Sequence, residues 1–451
     1  MSKETQKAIY DAKELGTGKT LVLGLQHMFA MFGATVLVPI ITGLSVSATL
    51  LFAGLSTFFM HLVTKGKVPV FLGSSFAFLG GYAAVKAQGV AMGMTERVAL
   101  NYACIGVACA GLLYLVVALI CKLFGSNNVM KYFPPVVTGP IIIAIGMNLA
   151  PSAINNCSAN WWIALVAIVV VVVCNIWGKG MVKIIPILLG VLASYLVAAV
   201  TGNVDFTEVK EAAWIGLPVA WENTGLSIFG KDFDGGFLLS AIITIVPIAF
   251  ATMMEHVGDI SAIGSTVGKN FIDDPGLHRT FIGDGVGTTI AALFGAPANT
   301  TYGENTGVLA LTKVYDPKVI RLAALYAAVL SFCPKFAAII KAMPAATIGG
   351  VSLILYGMIS AIGIRNMIEN HTDFQNSRNV IVAALIIGLA IGIGYSTVGA
   401  IAFSIGSVNI SLSGLAVASI VGIVLNAILP GRDESFVENP DEKLSGSLGK
   451  Y

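Results

Sequence analysis

The sequence predicts an all-α polytopic membrane protein of fourteen transmembrane segments, arranged as two inverted repeats of seven. Three observations lead there. The 451 residues are 56% hydrophobic and only 11% charged, with a mean hydropathy of +0.86, whereas soluble domains carry roughly a quarter charged residues. Runs such as "WWIALVAIVVVVVCNIW" (161–177) and "VIVAALIIGLAIGIGY" (380–395) approach the ~20 apolar residues that cross ~30 Å of hydrocarbon. Finally, "FPPVVTGPIIIAIGM" (133–147) and "MPAATIGGVSLILYGM" (343–358) share Pro at the second position, Gly at the seventh and an apolar run closing on Gly-Met.

In chain order, residues 1–19 are polar, with Lys3, Lys7, Lys13 and Lys19, and read as a cytoplasmic segment feeding a retained helix rather than a cleaved leader. Segments follow near 20–42, 46–64, 68–86, 98–124, 134–152, 160–177 and 182–201. The polar connection 202–237 reads as an external loop. The second half holds segments near 238–260, 280–295, 297–314, 319–335, 343–363, 379–396 and 411–430, and 431–451 is a polar cytoplasmic tail. With the N-terminus inside, only Lys86, Arg97, Lys210, Lys231, Lys335 and Lys341 of the 26 Lys and Arg fall outside, the asymmetry that insertion requires. The two Pro-Gly segments hold the fifth place in each half. Seven crossings per half is odd, so equivalent segments run in opposite directions.

The third segment of each half is interrupted. "KVPVFLGSSFAFLGG" (67–81) and "FGAPANTTYGENTGV" (294–308) are short and broken by Pro, Gly and hydroxyl residues. Corresponding interruptions in two halves point to a transporter's midplane site, because irregular backbone at that depth survives only where protein or a water-filled cavity satisfies it. Each is expected to begin extended and continue as a half-helix, from about Ser74 and about Glu304, with free N–H groups aimed at the site.

Four carboxylates lie in or beside membrane segments: Glu255 and Asp259 in the eighth, Asp284 in the ninth and Glu304 in the tenth, with no Lys or Arg well inside those segments. Intramembrane acids mark substrate or ion pathways, and here a proton, a bound cation or a helix N-terminus is left to neutralise them. Each has a plainer alternative. Glu255 and Asp259, four apart on one helical face, can line a cytoplasmic mouth. Glu304 can brace its Asn and Thr neighbours, and Asp284, about one turn in, can cap a helix. His27 suits a structural hydrogen bond better than proton carriage. Phe76, Phe78, Tyr302 and Tyr356 can be packing residues, or can stack on a flat ring.

Other classes are disfavoured. Net charge is +2 with no basic stripe, so nothing points to nucleic acid. The six cysteines stand singly without a Cys-x-x-Cys pair and read as packing residues. His27, His61, His256, His278 and His371 are too scattered for a catalytic or metal constellation, and no cofactor is indicated.

Together "LQHMFAMFGATVLVP", "FLGSSFAF", "EHVGD", "DPGLHRTFIGDGVGT" and "NTTYGENTGVLALTKVYDP" resemble the nucleobase–cation symporter 2 (nucleobase–ascorbate transporter) family, and within it the bacterial uracil permeases, from about residue 20 to about 430. The resemblance implies short antiparallel strands opening segments three and ten. It also implies a core domain of segments one to four and eight to eleven (20–126 and 238–338) and a gate domain of the rest (127–201 and 339–430), with substrate between them. Uracil or a related nucleobase would be imported through the plasma membrane (the inner membrane of a Gram-negative cell) with H⁺, by alternating access, in a multi-pass homodimer with both termini cytoplasmic. Glu255 and Glu304 would accept the ring N–H bonds, amides at Phe76 and Gly303 would donate to the carbonyls, and Tyr302, Tyr356 and Ser75 would complete the site. Glu255, Asp259, Asp284 and His27 would be the proton-coupling candidates. Purine-transporting relatives tend to carry Gln-Asn where this chain has Glu304-Asn305, which favours uracil over xanthine or uric acid. Some uracil members carry His where this chain has Asp259, which leaves Na⁺ open as the coupled ion. A sulfate-transporter-like anion carrier or channel shares the layout, but acids at the site would repel its cargo.

Overall fold

The computed structural model describes residues 8–230, 232–397, 399–405 and 408–431, with all their side chains except those of Asn127, Glu304, Ile405 and 408–410. The first residues of the N-terminal segment and nearly all of the C-terminal tail lie outside the described residues. α1 (Thr17–Thr42) ends at Gly43, whose φ of +90° lets the chain turn sharply, and Ser45 caps α2 (Val46–Val63) by accepting from the Ala48 amide. β1 (Leu72–Ser74) leads into α3 (Leu79–Ala91), and α4 (Glu96–Phe124) returns under a Thr95 cap. α5 (Ser126–Met130), α6 (Pro135–Ser158), α7 (Trp161–Trp177), α8 (Met181–Ile184) and α9 (Pro186–Val200) complete the first half.

The connection that follows carries α10 (Thr207–Glu211). α11 (Gly235–Ile245) passes through a 3₁₀ turn at Pro247 into α12 (Ala249–Val267), and α13 (Leu277–Leu293) precedes β2 (Asn299–Thr301) and α14 (Gly303–Thr312). α15 (Pro317–Leu330), α16 (Pro334–Lys341), α17 (Ala345–Glu369) and α18 (Ser377–Tyr395) lead to a hairpin of β3 (Ala400–Ile405) and β4 (Val408–Ser413), then α19 (Gly414–Ile428). Proline opens α6, α9, α15 and α16, where its missing N–H costs nothing.

The protein is a mostly helical, polytopic membrane protein. Among the described residues seven spans are long and apolar enough to cross a bilayer, α11 and α12 together counting as one, and α15 with α16, bent by 90°, makes an eighth candidate. α7, α9 and α19 are apolar but shorter.

Several sequence expectations need correction. The chain is not all-α outside the two broken segments: β3 and β4 pair antiparallel, with Ile405 opposite Val408. The signal was present, since Ile401, Phe403, Ile405, Val408, Ile410 and Leu412 alternate with small or polar residues around Gly406-Ser407, a period-2 hairpin pattern. The third-segment helix starts at Leu79, not Ser74, because β1 occupies 72–74 and a turn follows it. The eighth segment extends to Val267 and the ninth starts at Leu277, so Asp284 lies mid-helix and wholly buried rather than one turn in.

Glycine sets the closest helix crossings, as in other membrane bundles. Where α6 crosses α17, a Cβ on Gly139 would meet the Gly363 carbonyl at 3.0 Å, and one on Gly349 the Ala153 carbonyl at 2.8 Å. A Cβ on Gly146 would overlap the Tyr356 carbonyl. Gly111 of α4 and Gly285 of α13 likewise face each other's carbonyls at 2.6 and 2.7 Å.

Candidate functional site

The two broken segments meet. β1 and β2 pair antiparallel with Leu72 opposite Thr301, Gly73 opposite Thr300 and Ser74 opposite Asn299. Two threonines hold this extended backbone from either side. Thr57 of α2 accepts from the Leu72 amide (2.9 Å) and lies 3.5 Å from the Leu72 carbonyl; Thr288 of α13 accepts from the Asn299 amide (3.2 Å) and donates to the Asn299 carbonyl (3.0 Å). Ser74 Oγ donates to the Thr35 carbonyl of α1 (2.5 Å), and the Ser75 amide donates to the Ala298 carbonyl (2.8 Å). Side-chain hydroxyls thus supply what water cannot at this depth.

Tyr302 locks the pair. Its amide donates to the Phe71 carbonyl (3.1 Å) and its hydroxyl to the Ser74 carbonyl (3.0 Å), while its ring covers Gly73 so closely that a Cβ there would overlap it. From the strands, α3 and α14 depart, and neither N-terminus carries a side-chain cap. The Leu79 amide that opens α3 donates to the Phe76 carbonyl (3.1 Å), so the helix-end amides that a ligand could use are those of the turn before α3 and of the first turn of α14. Gly303 is the first residue of α14, and Phe76 sits in the turn before α3.

α12 brings its acids alongside. Asp259, 8% exposed, accepts a hydrogen bond from Thr301 Oγ1 (3.0 Å), and its other oxygen lies 3.6 Å from where a Gly303 Cβ would stand. A carboxylate is thereby placed at the positive end of α14. Glu255 lies one turn earlier on the same helix and is partly buried. Glu304 is the second residue of α14; its side chain lies outside the described residues. His27 of α1 is fully buried, with Asn305 Nδ2 3.1 Å from its Nδ1 and donating to its carbonyl (3.2 Å), so it anchors the first turn of α14. Opposite the strands stands α17: the rings of Phe76 and Tyr356 meet edge-on at 5.6 Å, and Ile362 lies 3.7 Å from the Gly303 Cβ position. Ser75 is buried beside Phe76, its hydroxyl without a partner among the described residues.

Phe76, Ser75, Tyr302, Gly303, Asp259 and Tyr356 are thus gathered around one strand pair. Asp284 takes a different partner: its Oδ2 lies 2.9 Å from Nδ1 of His256, both side chains fully buried, with His256 stacked on Phe281. Sequence reading named His256 only among five scattered histidines, and it missed Thr57 and Thr288. The available signal was a hydroxyl on the helix preceding each broken segment. Among the described residues there is no group of three metal-capable side chains, and all six cysteines are free thiols.

Paired discontinuous segments with buried acids beside them are the pattern that points to a transporter's binding site. The comparisons agree. Residues 18–401 match the model of the Permease family. The chain is 40% identical to the uracil permease of Bacillus caldolyticus over 97% of its own length and all of that protein's. It is 38% identical to that of Bacillus subtilis (93% of this chain, 94% of the relative) and 37% identical to that of Escherichia coli K12 (94% of each). The chain belongs to this permease family, the nucleobase–cation symporter 2 family. Its fold is shared with the transmembrane domain of the cyanobacterial bicarbonate transporter BicA (TM-score 0.59, 15% identity, 93% of this chain and 99% of that one). It is also shared with the murine Solute Carrier 26 family member A9 anion transporter in its inward-facing state (TM-score 0.60, 12% identity, 95% and 73%). At such identities the likeness concerns the fold alone.

Proposed function

We propose that the chain imports uracil across the plasma membrane by proton-coupled symport with alternating access. The observation that carries this reading is the end-to-end similarity to uracil permeases at 37–40% identity, and the strand pair supplies matching chemistry. Uracil is flat and uncharged, with two N–H donors and two carbonyl acceptors. Glu255 and Glu304 take its donors, and the amides of Phe76 and Gly303 take its acceptors. Tyr356, edge-on to Phe76, and Ser75 close the pocket, while Tyr302 holds the strands in register.

The architecture proposed for this cycle is two inverted seven-segment repeats, divided into core and gate as above. Supporting it, an ungapped alignment on Pro134 with Pro344 and Gly139 with Gly349, carried along both helices, pairs Gly146 with Tyr356 and Ala153 with Gly363, leaving the two Gly-Met pairs one residue out of register. The contacts obey that pairing reciprocally: Gly139 faces Gly363, Gly349 faces Ala153, and Gly146 faces its own equivalent, Tyr356. Such self-pairing is what a two-fold axis through the crossing requires. The equivalent threonine clamps on Leu72 and Asn299 follow the same relation. Core slides against gate, the termini stay cytoplasmic, and the chain works as a homodimer.

Coupling falls to Asp259 and Glu255. A proton on Asp259 removes a charge from the positive end of α14 without breaking the Thr301 contact. Asp259→Asn keeps an acceptor for Thr301 but cannot titrate. Uracil exchange between equal pools is therefore expected to persist, while accumulation driven by a pH gradient falls by about tenfold or more. Proteoliposome uptake measures both, and accumulation that survives in this variant would count against Asp259 as the coupling group.

The overall reading is tested by radiolabelled uracil uptake under an imposed pH gradient, beside a Na⁺ gradient and with unlabelled xanthine and uric acid as competitors. Proton-driven accumulation that resists the purines is the expected result. Uptake indifferent to pH rejects the proton, and Glu304→Gln with undiminished affinity rejects the assigned site.

A further inference from the structure

A hollow lies apart from the strand pair, sharing none of its residues. At the C-terminal end of α4, the cytoplasmic end in the proposed topology, this hollow of about 350 Å³ is lined by Lys122, Ser126, Asn128, Asp273 and His278. The first three come from the end of α4 and from α5, the link that carries the chain on to α6. The last two come from the connection between α12 and α13 and from the first turn of α13.

Its charges are unspent. Lys122 makes no ion pair among the described residues, and His278 makes no hydrogen bond among them. Among the described residues the Asp273 carboxylate accepts only from the Asn270 side-chain amide (2.7 Å), while the neighbouring Asp274 is matched by Lys67 at 2.5 Å. The pocket lining therefore offers one cation and one anion, together with hydroxyl, amide and imidazole groups. A plain anion would leave Asp273 opposed, and a plain cation would leave Lys122 opposed.

An apolar track leads to this hollow. Leu112, Val116, Leu119 and Leu123 are 50, 52, 55 and 68% exposed. Their spacing places them on one face of α4, a strip of roughly 17 Å at 1.5 Å per residue. Phe124, 65% exposed, stands at the rim of the pocket. A ligand with a polar head and a long apolar chain fits hollow and strip at once.

We propose that this pocket binds the headgroup of a phosphatidylethanolamine-type lipid of the cytoplasmic leaflet. Lys122, His278 and the Ser126 hydroxyl take the phosphate, Asp273 takes the primary ammonium, and an acyl chain lies along the α4 strip. The lipid then bridges the end of α4 to the start of α13 at the point where the chain leaves one proposed domain for the other.

Native mass spectrometry tests this on the whole chain released from vesicles of phosphatidylethanolamine, phosphatidylcholine and phosphatidylglycerol in equal parts. Phosphatidylethanolamine is expected to be retained over phosphatidylcholine by about fivefold, the scale of an exposed ion pair. K122Q should lower retention of both. D273N should erase the preference between them, because only the ethanolamine ammonium donates hydrogen bonds to a carboxylate. All these side chains sit at the surface, so the variants should fold. Preferred retention of phosphatidylglycerol, or equal retention of all three lipids unchanged by K122Q, would overturn the proposal. So would soluble phosphoethanolamine that binds as tightly as the lipid, since the α4 strip would then contribute nothing.

Discussion

Gly73→Val is expected to abolish uracil uptake while leaving the chain in the membrane. Gly73 is the middle residue of β1, opposite Thr300, and the Tyr302 ring lies across it so that any Cβ overlaps ring carbons and approaches the hydroxyl at 2.8 Å. Tyr302 cannot swing aside cheaply: its amide is bonded to Phe71 and its hydroxyl to Ser74. Either the strands part or Tyr302 withdraws. Both shift Gly303, the next residue, and with it the N-terminus of α14. Overpacking of this kind costs about 1–3 kcal/mol, and when spent on a binding geometry that is roughly a fivefold to 150-fold loss of affinity. Uracil Kd in detergent and counterflow in vesicles read the effect. The double change Gly73→Val with Tyr302→Ala removes the overlap and should restore much of the lost Tm without restoring Kd. Wild-type Kd in the single variant would mean that the strand pair does not set the binding geometry.

Much of this arrangement was legible in the sequence, for identifiable reasons. Long apolar runs marked the spans, because a bilayer leaves few alternatives to helix. The interruptions at 67–81 and 294–308 stood out against that background. Acids without nearby Lys or Arg flagged α12 and α14. What stayed hidden depends on partners distant in the chain. Nothing local to Tyr302 says that its hydroxyl reaches Ser74, 228 residues away. Thr57 and Thr288 look like the many helix hydroxyls that bond only their own preceding turn, as Thr64 does to Met60. Asp284 looked like a cap because its segment was drawn three residues short; once α13 starts at Leu277, it lies mid-helix against His256. The β3–β4 hairpin was missed for another reason: most of it falls in the connection between the segments drawn at 379–396 and 411–430, where its alternation was not read as strand.

Gly146→Val is expected to have the largest effect on stability. Gly146 stands where α6 crosses α17, and its added atoms would meet two backbone groups, the Tyr356 carbonyl and, at 2.9 Å, the Ser360 amide nitrogen. Backbone in the middle of two long helices cannot rotate out of the way as a side chain can. The helices must separate, and the contacts of Gly139 with Gly363 and of Gly349 with Ala153 open with them. Tyr356 would be pulled from Phe76, so the damage reaches the site. A loss above about 3 kcal/mol, the upper range of overpacking, should appear as a large fall in Tm or as failure to recover folded protein. Two companions make the result specific. Gly357→Ala, one residue beyond Tyr356 with nothing within 4 Å of its added Cβ, should be neutral or should stabilise by about 1 kcal/mol through helix propensity. Ser360→Gly combined with Gly146→Val removes the nearby hydroxyl but not the Tyr356 carbonyl, so it should fail to rescue. If it rescued fully, the side-chain contact rather than the backbone crossing would be the limiting one, and the two-fold arrangement proposed around Gly146 would lose its tightest point.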